Sequence, residues 1–372
     1  MQQFIQQLIN GLSVGSIYAL IAVGYTMVYG VLQLINFAHG DVFMVGAMVS
    51  MYAATGRVTA YLPPWLHILV IVCFAVAFLV NKLLGRTFKQ TFHKLASLLA
   101  VYFISIPALL ASSFLSQHLH LGNWSMAVFV LIFTIAVCGA MGFLIERLAY
   151  RPLRERPRIN SLITAIGISL LLEYGGQNSG VFGPTPQPYP QGDEGQPQLI
   201  PHLSGALWNH NGIVIQKVDV LVLALTVLIM LALSFIVLKT RVGLGLRAVS
   251  YRFDTAALMG VNINSIIGFT FVLGSCLAAV AGILWGVKYH SGEPLMGLMP
   301  GIKAFIAAVF GGIGNIAGAV VGGVVLGLIE IMVIGYLPGG SQYKDAAAFV
   351  ILIAILLVKP SGLLGKNAVE KV

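Results

Sequence analysis

The sequence predicts an all-α protein, a polytopic membrane bundle of about 10 transmembrane helices (about 8 to 11) in a single domain, 1–372. Apolar residues make up 58% of the chain and charged residues only 9%, and the mean hydropathy is +0.92. A soluble domain carries roughly 25% charged residues, so lipid must replace water over most of this surface. The apolar stretch 221–237 does not alternate as the strands of a membrane barrel would, which favours helices.

Each predicted crossing is an apolar segment whose length approaches the roughly 20 residues that a helix needs to span the hydrocarbon. In chain order the segments lie at 11–31, 40–54, 62–80, 97–115, 124–145, 159–175, 218–238, 265–287, 296–312, 316–336 and 344–359. The second and the ninth are short, and each is compatible with a partial or re-entrant helix. No soluble domain separates the segments.

Positively charged loops predict the orientation of the bundle, because lysine and arginine collect on the cytoplasmic side of a membrane. Most of these residues fall in four places, 82–94, 146–158, 239–252 and the tail after 358. The long connection 176–217 is rich in proline and glycine and carries little positive charge, so we expect a periplasmic loop there. The C-terminus is then cytoplasmic. The net charge of +9 reflects this orientation rather than nucleic-acid binding.

A polar break at residues 34–41 separates the first two apolar segments. Asn36, His39 and Asp41 would be costly in lipid, so they must be buried in protein or line a wet cavity. Gly40 permits a sharp turn, and non-helical backbone is tolerated at membrane depth only in such sheltered places. The break therefore either lines a translocation path or forms a tight interfacial turn. No second ligand stands at helical spacing from His39, so we expect no metal site.

A glycine-rich stretch follows the ninth segment. Gly314, Gly318 and Gly322 recur at every fourth residue, which predicts one helix face where a second helix can approach closely. Helix packing is the first interpretation, and ligand binding is the alternative. The stretch is no phosphate loop, since a Walker A motif requires Gly-Lys-Ser or Gly-Lys-Thr, which the chain lacks. If ATP drives this protein, another subunit must hydrolyse it.

Residues 239–264 form a basic connection on the predicted inside, too long for a plain turn. The composition predicts a short helix that Gly260 ends. Such a helix, with Arg241, Gly243 and Arg247 before it, suits docking to a soluble partner. The alternative is an amphipathic helix that rests on anionic lipid.

Several segments in the same order resemble the branched-chain amino acid ABC transporter permeases. They are 15–30, the Ile-Asn-Phe-Ala-His-Gly run 35–40, 145–154, the 239–264 connection and 307–318. The chain resembles in particular the permease of the pair that carries the Asn-Phe-Ala-His-Gly segment. The resemblance implies a bacterial inner-membrane subunit that works with a second homologous permease, two cytoplasmic ATPase subunits and a periplasmic substrate-binding protein. It implies no cofactor in this chain, with ATP bound by the ATPase partners.

The resemblance also implies a role for the 239–264 connection. Ala256 and Ala257, followed by Gly260, look like the coupling helix of ABC permeases, which docks on the ATPase. Thr255 stands where the family has a glutamate, and the glycine comes one position early, so the individual contacts differ. The stretch 82–123 looks like an insertion that is atypical of the family.

We therefore expect a translocation subunit for branched-chain or related small amino acids, with no catalytic residues of its own. The predicted path residues are Tyr25, Asn36, His39, Gly40 and Asp41. A urea or amide ABC permease is the nearest alternative. An ion-coupled carrier would require buried carboxylates, for which the candidates are Glu173, Asp219, Glu330 and Asp345. An intramembrane enzyme is the third class, and the chain lacks an HExxH zinc motif.

Overall fold

The computed structural model describes residues 1–55, 123–154, 156–178, 181–189, 203, 205–210, 212–359 and 361–365. Within these ranges, seven helices are long and apolar enough to cross a membrane, which confirms an all-α polytopic bundle. The crossings predicted at 62–80 and 97–115 lie outside the described residues. So does the predicted insertion at 82–123, apart from Asn123, where a helix begins.

The helices of the described part are α1 (Gln2–Leu32), α2 (His39–Thr55), α3 (Asn123–Leu144), α4 (Arg158–Gly176), α5 (Lys217–Lys239), α6 (Arg241–Tyr251), α7 (Phe253–Leu258), α8 (Ile263–Tyr289), α9 (Leu298–Gly311), α10 (Ile316–Tyr336) and α11 (Gly340–Val358). A π-helical turn (Ile145–Tyr150) and a 3-10 turn (Arg151–Leu153) extend α3. Four short strands complete the list: β1 (Gln187–Pro188), β2 (Ala206–His210), β3 (Ile213–Gln216) and β4 (Ser291–Gly292). Strand β1 pairs antiparallel with β4, and β2 with β3.

Helix α1 is the central element of the bundle. Of its most apolar 18 residues, 94% are buried, against 6% in α11 at the periphery. It packs against α8, α9 and α10, and small residues make the approach to α10 close. A Cβ on Gly15 would stand 2.7 Å from the Val324 Cα, and one on Gly11 would stand 2.9 Å from the Leu328 Cα. The helix backbones therefore touch, as small residues permit in membranes.

One end of the bundle carries the β2–β3 hairpin, and we name it the hairpin side. Gln6, near the start of α1, exchanges hydrogen bonds with the Val214 backbone of β3. The end of α2 lies here too, since the Tyr52 hydroxyl donates to the Phe182 carbonyl at 2.9 Å. The Ser50 and Tyr189 hydroxyls share a hydrogen bond of 2.8 Å, and burial raises the pKa of the Tyr189 phenol well above its usual range.

The opposite end carries α6 and α7, and we name it the α6 side. The segment 361–365, which follows α11, is hydrogen-bonded to the end of α9: the Leu363 amide donates to the Phe310 carbonyl at 2.8 Å. The turn between α9 and α10 borders the same cavity as α6. The 14-residue α9 therefore leads the chain towards the α6 side. The start of the C-terminal tail lies on that side, as the predicted alternation of crossings requires.

Polar side chains cap the starts of three helices on the α6 side. The first amides of a helix have no partners within it, and these side chains accept hydrogen bonds from them. The Thr240 hydroxyl donates to the Ile236 carbonyl at the end of α5 and accepts from the Gly243 amide at the start of α6. Asn262 and Asn315 cap α8 and α10 in the same way. Such side chains stabilise a helix start by about 1 kcal/mol.

Two short helices, α2 and α9, meet inside the bundle near their N-terminal ends. A Cβ on Gly40 would stand 2.6 Å from the Gly297 carbonyl oxygen and 2.9 Å from the Gly301 Cα. Helix α2 begins at His39, and that side chain contacts Gly24 and Gly274 in the central parts of α1 and α8. The polar break of the sequence thus brings a helix start into the protein interior.

Candidate functional site

The chain leaves α1 through Gln33, which has a left-handed backbone (φ 52°), and α2 begins six residues later, at His39. Asn36 is buried in this connection and accepts a hydrogen bond of 3.0 Å from the Tyr150 hydroxyl. The ring of Tyr150 packs on Phe271 of α8, with 5.2 Å between centroids. The break is therefore sheltered by protein rather than exposed at an interface.

His39 is 1% exposed and lies in the narrow space between α1 and α8. Its ring meets the Tyr25 ring edge-on, with 4.7 Å between centroids, and it is hydrogen-bonded to the Ile21 backbone. Its Nε2 atom has no hydrogen-bond partner among the described residues. A Cβ on Gly24 would collide with this ring, so the glycine makes room for the histidine.

Asp41, in the first turn of α2, faces a polar stripe on α4. The buried residues of α4 recur at every third or fourth position and include Ser161, Ser169 and Glu173. The Asp41 carboxyl interacts with the Ser169 hydroxyl and the Glu173 carboxyl. One oxygen of each carboxyl lacks a hydrogen-bond partner in the described part of the chain. Structure thus brings Asp41 together with Glu173, a pairing that the sequence does not predict.

Two cavities lie between the polar break and the α6 side. The narrow cavity has a volume of about 10 Å³, room for about one water molecule, and is lined by Tyr25, Thr26, Tyr29, Ile35, Phe305, Ala308 and Ile313. The wide cavity has a volume of about 910 Å³ and is bordered by parts of α1, α5, α6 and α10. Thr26 and Ile313 line both cavities. Of the five predicted path residues, Tyr25 lines one of these two cavities, whereas Asn36, His39, Gly40 and Asp41 line neither.

Three of the four acids considered for an ion-coupled carrier are paired with lysines. Lys303 contacts Glu330 at 2.8 Å and Asp345 at 2.6 Å, and the Tyr18 hydroxyl donates to Glu330 at 2.8 Å. In a second cluster, Lys288 contacts Asp219 at 2.5 Å and donates to the Ser13 hydroxyl at 2.9 Å. Glu330 and Asp345 share one cation and Asp219 has its own, so each of these three carboxyls already has a fixed cationic partner.

Residues 11–15 have the Gly-x-Ser-x-Gly spacing of a hydrolase nucleophile turn, a match that sequence reasoning missed. That motif requires a sharp strand-to-helix turn that exposes the serine. Here Ser13 lies buried within the continuous helix α1 and accepts a hydrogen bond from Lys288. This spacing of glycine and serine therefore does not form a nucleophile turn here and does not support an enzyme.

Four of the six predicted coupling residues are exposed on the α6 side. Arg241, Arg247, Ala257 and Gly260 are exposed, whereas Gly243 and Ala256 are buried. Gly260 has a left-handed backbone (φ 80°) and follows the end of α7.

Large apolar side chains, which sequence reasoning missed, stand beside these residues. Tyr251 is 87% exposed, Leu258 88% and Met259 80%. Their position outside every apolar segment is the signal that could have found them, since exposed apolar groups in a basic loop indicate a docking surface.

The glycines that were predicted to share one helix face have different roles. Gly318 and Gly322 contact the backbone of α9 at Gly311 and Ala307. Gly314 instead precedes α10, in a turn with a left-handed backbone (φ 88°), so the predicted face loses that member. Gly323 and Gly327 lie on a second face, which contacts Ala19 and Gly15 of α1.

Comparison with known proteins agrees with this architecture. The profile of the family described as branched-chain amino acid transport system, permease component, matches residues 7–356. The high-affinity branched-chain amino acid permease protein BraD of Pseudomonas aeruginosa is 37% identical over 370 residues, covering 99% of this chain and 98% of the relative. LivH of Escherichia coli K12 is 35% identical over 375 residues, with the same coverages.

More distant relatives match smaller parts. A probable LivH of Methanocaldococcus jannaschii is 29% identical over 238 residues, 62% of this chain and 72% of its own length. No solved structure matches the chain significantly. The profile match over most of the chain and the two bacterial relatives give one conclusion: the chain belongs to the family of branched-chain amino acid transport system permease components.

Proposed function

We propose that this protein is the membrane-spanning permease subunit of an ABC importer for branched-chain or related small amino acids. The observation that carries the proposal is the match, over almost the whole chain, to two bacterial permeases of branched-chain amino acid systems. A bundle whose central helix lines two successive cavities is in accord with it.

An amino acid zwitterion cannot enter hydrocarbon, so its route must be lined by protein. We place that route along α1, from the narrow cavity beside Tyr25 to the wide cavity on the α6 side. His39 and Asp41 lie behind Tyr25 and position the start of α2. Their role in this proposal is to hold the wall of the path, since both are buried away from the two cavities.

We infer the partners from the family and from the exposed surface of the α6 side. We infer that α6 and α7 dock on one of the two cytoplasmic ATPase subunits, with Tyr251, Leu258 and Met259 as apolar contacts. A second permease and a periplasmic binding protein complete the importer. The α6 side carries basic residues, including Arg241, Arg247 and Lys359, and we infer from the positive-inside rule that it faces the cytoplasm. The hairpin side is then periplasmic, and the membrane is the bacterial inner membrane.

Uptake in cells that lack this gene tests the substrate class. The gene restored on a plasmid should restore uptake of radiolabelled leucine, and an excess of unlabelled isoleucine or valine should compete. Competition by urea or amides alone would favour the alternative permease class. Uptake that continues after ATP is depleted, with the proton gradient held, would contradict an ABC importer.

An exposed alanine tests the docking surface. Ala257→Arg should abolish co-purification of the ATPase subunits and leucine uptake, because the larger cation occupies the contact surface. Ala206→Arg, an exposed alanine on the hairpin side, is the matched control and should leave ATPase binding unchanged. Normal ATPase binding and uptake in Ala257→Arg would remove α7 from the interface.

A further inference from the structure

The junction of the two cavities is built from two side chains, Thr26 on α1 and Ile313 in the turn between α9 and α10. On one side lies the narrow cavity with its aromatic wall, and on the other the wide cavity. In the route proposed along α1, a solute passes these two residues as it leaves one cavity for the other.

Ile313 occupies a turn that can change shape. Gly312 and Gly314 on either side of it have left-handed backbones, with φ of 108° and 88°. The turn Gly312–Asn315 is closed by one hydrogen bond, from the Asn315 amide to the Gly312 carbonyl at 3.1 Å. Glycines tolerate several backbone conformations at little steric cost. The isoleucine is 37% exposed, so its side chain has room to move.

The segment 361–365, which we name the tail strap, holds this turn in place. The Leu363 and Leu364 amides donate to the carbonyls of Phe310 and Gly311 at 2.8 and 3.0 Å. The Asn315 amide side chain donates to the Leu364 carbonyl at 2.9 Å. The turn is thus anchored at both ends, while Ile313 in its middle is free of these bonds.

Thr26 supplies a polar group at the junction. Its side chain is 1% exposed, and its hydroxyl has no hydrogen-bond partner among the described residues. The hydroxyls of Ser16 and Thr270 donate to the carbonyl four residues earlier, whereas the hydroxyls of Thr134, Ser161 and Thr226 lack a partner in the described part of the chain, as that of Thr26 does. A buried polar group without a partner is unfavourable. Of these four hydroxyl residues, Thr26 is the one that lines both cavities.

We propose that Thr26 and Ile313 form the inner gate of the translocation path. The Ile313 side chain closes the narrow cavity towards the α6 side, and the flanking glycines let it move. The Thr26 hydroxyl hydrogen-bonds to the polar end of the amino acid as it passes. The inference rests on the proposed function and adds the gate residues and their chemistry.

Ile313→Trp tests the closure in cells that lack the native gene. Leucine uptake should fall by about tenfold or more, a barrier increase of about 1.4 kcal/mol, with an unchanged amount of the variant in the membrane. Ile334→Trp is the matched control, because Ile334 is 38% exposed and lines neither cavity. Equal uptake by the two variants would overturn the gate.

Thr26→Val removes the hydroxyl with little change in shape. Leucine uptake should fall about threefold to tenfold, the contribution of one hydrogen bond, without a lower unfolding temperature. Thr270→Val is the control, since that threonine is equally buried but bonds within its own helix. Uptake at the wild-type rate in Thr26→Val would show that the hydroxyl does not contact the solute.

A labelling experiment tests the movement of Ile313 independently of which solute is transported. In the assembled transporter without native cysteines, Ile313→Cys should react with a maleimide at rates that differ at least about threefold between the nucleotide-free and vanadate-trapped states, because the gate moves. Ile334→Cys should react equally in both. Equal rates at Ile313 with normal leucine transport would overturn the gate alone. Unequal rates in a complex that takes up no amino acid would instead overturn the proposed substrate.

Discussion

Several side chains in this bundle fit against a neighbouring residue that has no Cβ. Gly24 shows this most clearly, since its missing side chain creates the space for the His39 ring. The histidine in turn packs on Tyr25, which borders the narrow cavity. A change at Gly24 therefore reaches the proposed path through two successive contacts.

We predict that Gly24→Ala lowers the free energy of unfolding by about 1–3 kcal/mol, the usual cost of overpacking a core. Thermal unfolding of the purified protein measures the effect. Gly268→Ala is the control, because its new Cβ would meet the nearest described atoms at 3.7 Å or more, an ordinary contact. The double variant Gly24→Ala/His39→Ala should recover much of the loss; no recovery would show that the histidine is not the clashing group.

The Lys303 cluster is the strongest electrostatic feature at the same scale. Lys303→Met leaves Glu330 buried without its cation, and breaking a buried pair costs roughly 3–5 kcal/mol. We expect a clear fall in unfolding temperature. Adding Glu330→Gln should restore part of it, since the amide is neutral. An unchanged unfolding temperature in Lys303→Met would mean that water or lipid headgroups solvate the cluster.

Among the elements, α9 and α10 depend on glycine for their contact. Gly322 and Gly318 of α10 face the α9 backbone, whereas Gly323 and Gly327 of the same helix face α1. Helix α10 is thus held on two sides through positions that carry no side chain. Small residues serve this purpose in membranes, where burial of apolar surface contributes little to helix association.

We predict that Gly322→Ala separates α9 from α10 and destabilises the bundle, because the new Cβ would meet the Ala307 carbonyl group. Thermal unfolding in detergent measures the loss. Gly167→Ala in α4 is the matched control, since it has open space within 4 Å of the new Cβ in the described structure. Equal stability of the two variants would contradict a close contact between α9 and α10.

For the whole molecule, the two ends are built from different elements. The hairpin side joins β2–β3 to the starts of α1 and α5, while the α6 side joins α6, α7 and the tail strap. Helix α9 is only 14 residues long, yet it ends on the α6 side. The hydrogen bonds between the tail strap and the end of α9 show this.

Cysteine labelling from one side of the membrane tests this arrangement. In a variant without the native cysteines, Tyr251→Cys and a cysteine added after Val372 should react with an impermeant maleimide in inside-out vesicles. Trp208→Cys, on the exposed β2 strand, should react in intact spheroplasts instead. Reaction of positions 208 and 251 from the same side would contradict the alternating path of the chain.

Sequence alone determined the fold class, because too few charges are present for water to cover the surface and the apolar segments match the bilayer thickness. The family motifs in this sequence indicated the function. Sequence also placed the helix end at Gly260 and the polar break at residues 34–41.

Tertiary structure decided which of these residues meet. The Asp41–Glu173 contact, the Lys303 cluster and the junction of Thr26 with Ile313 each join positions far apart in the chain. In the structure, Gly314 lies in a turn before α10 rather than on the helix face that the sequence predicted. Periodicity shows which residues share one face of a helix. Which other helix covers that face depends on packing between segments that are distant in the sequence. The proposed path and its gate are formed by such packing, so the sequence alone did not predict them.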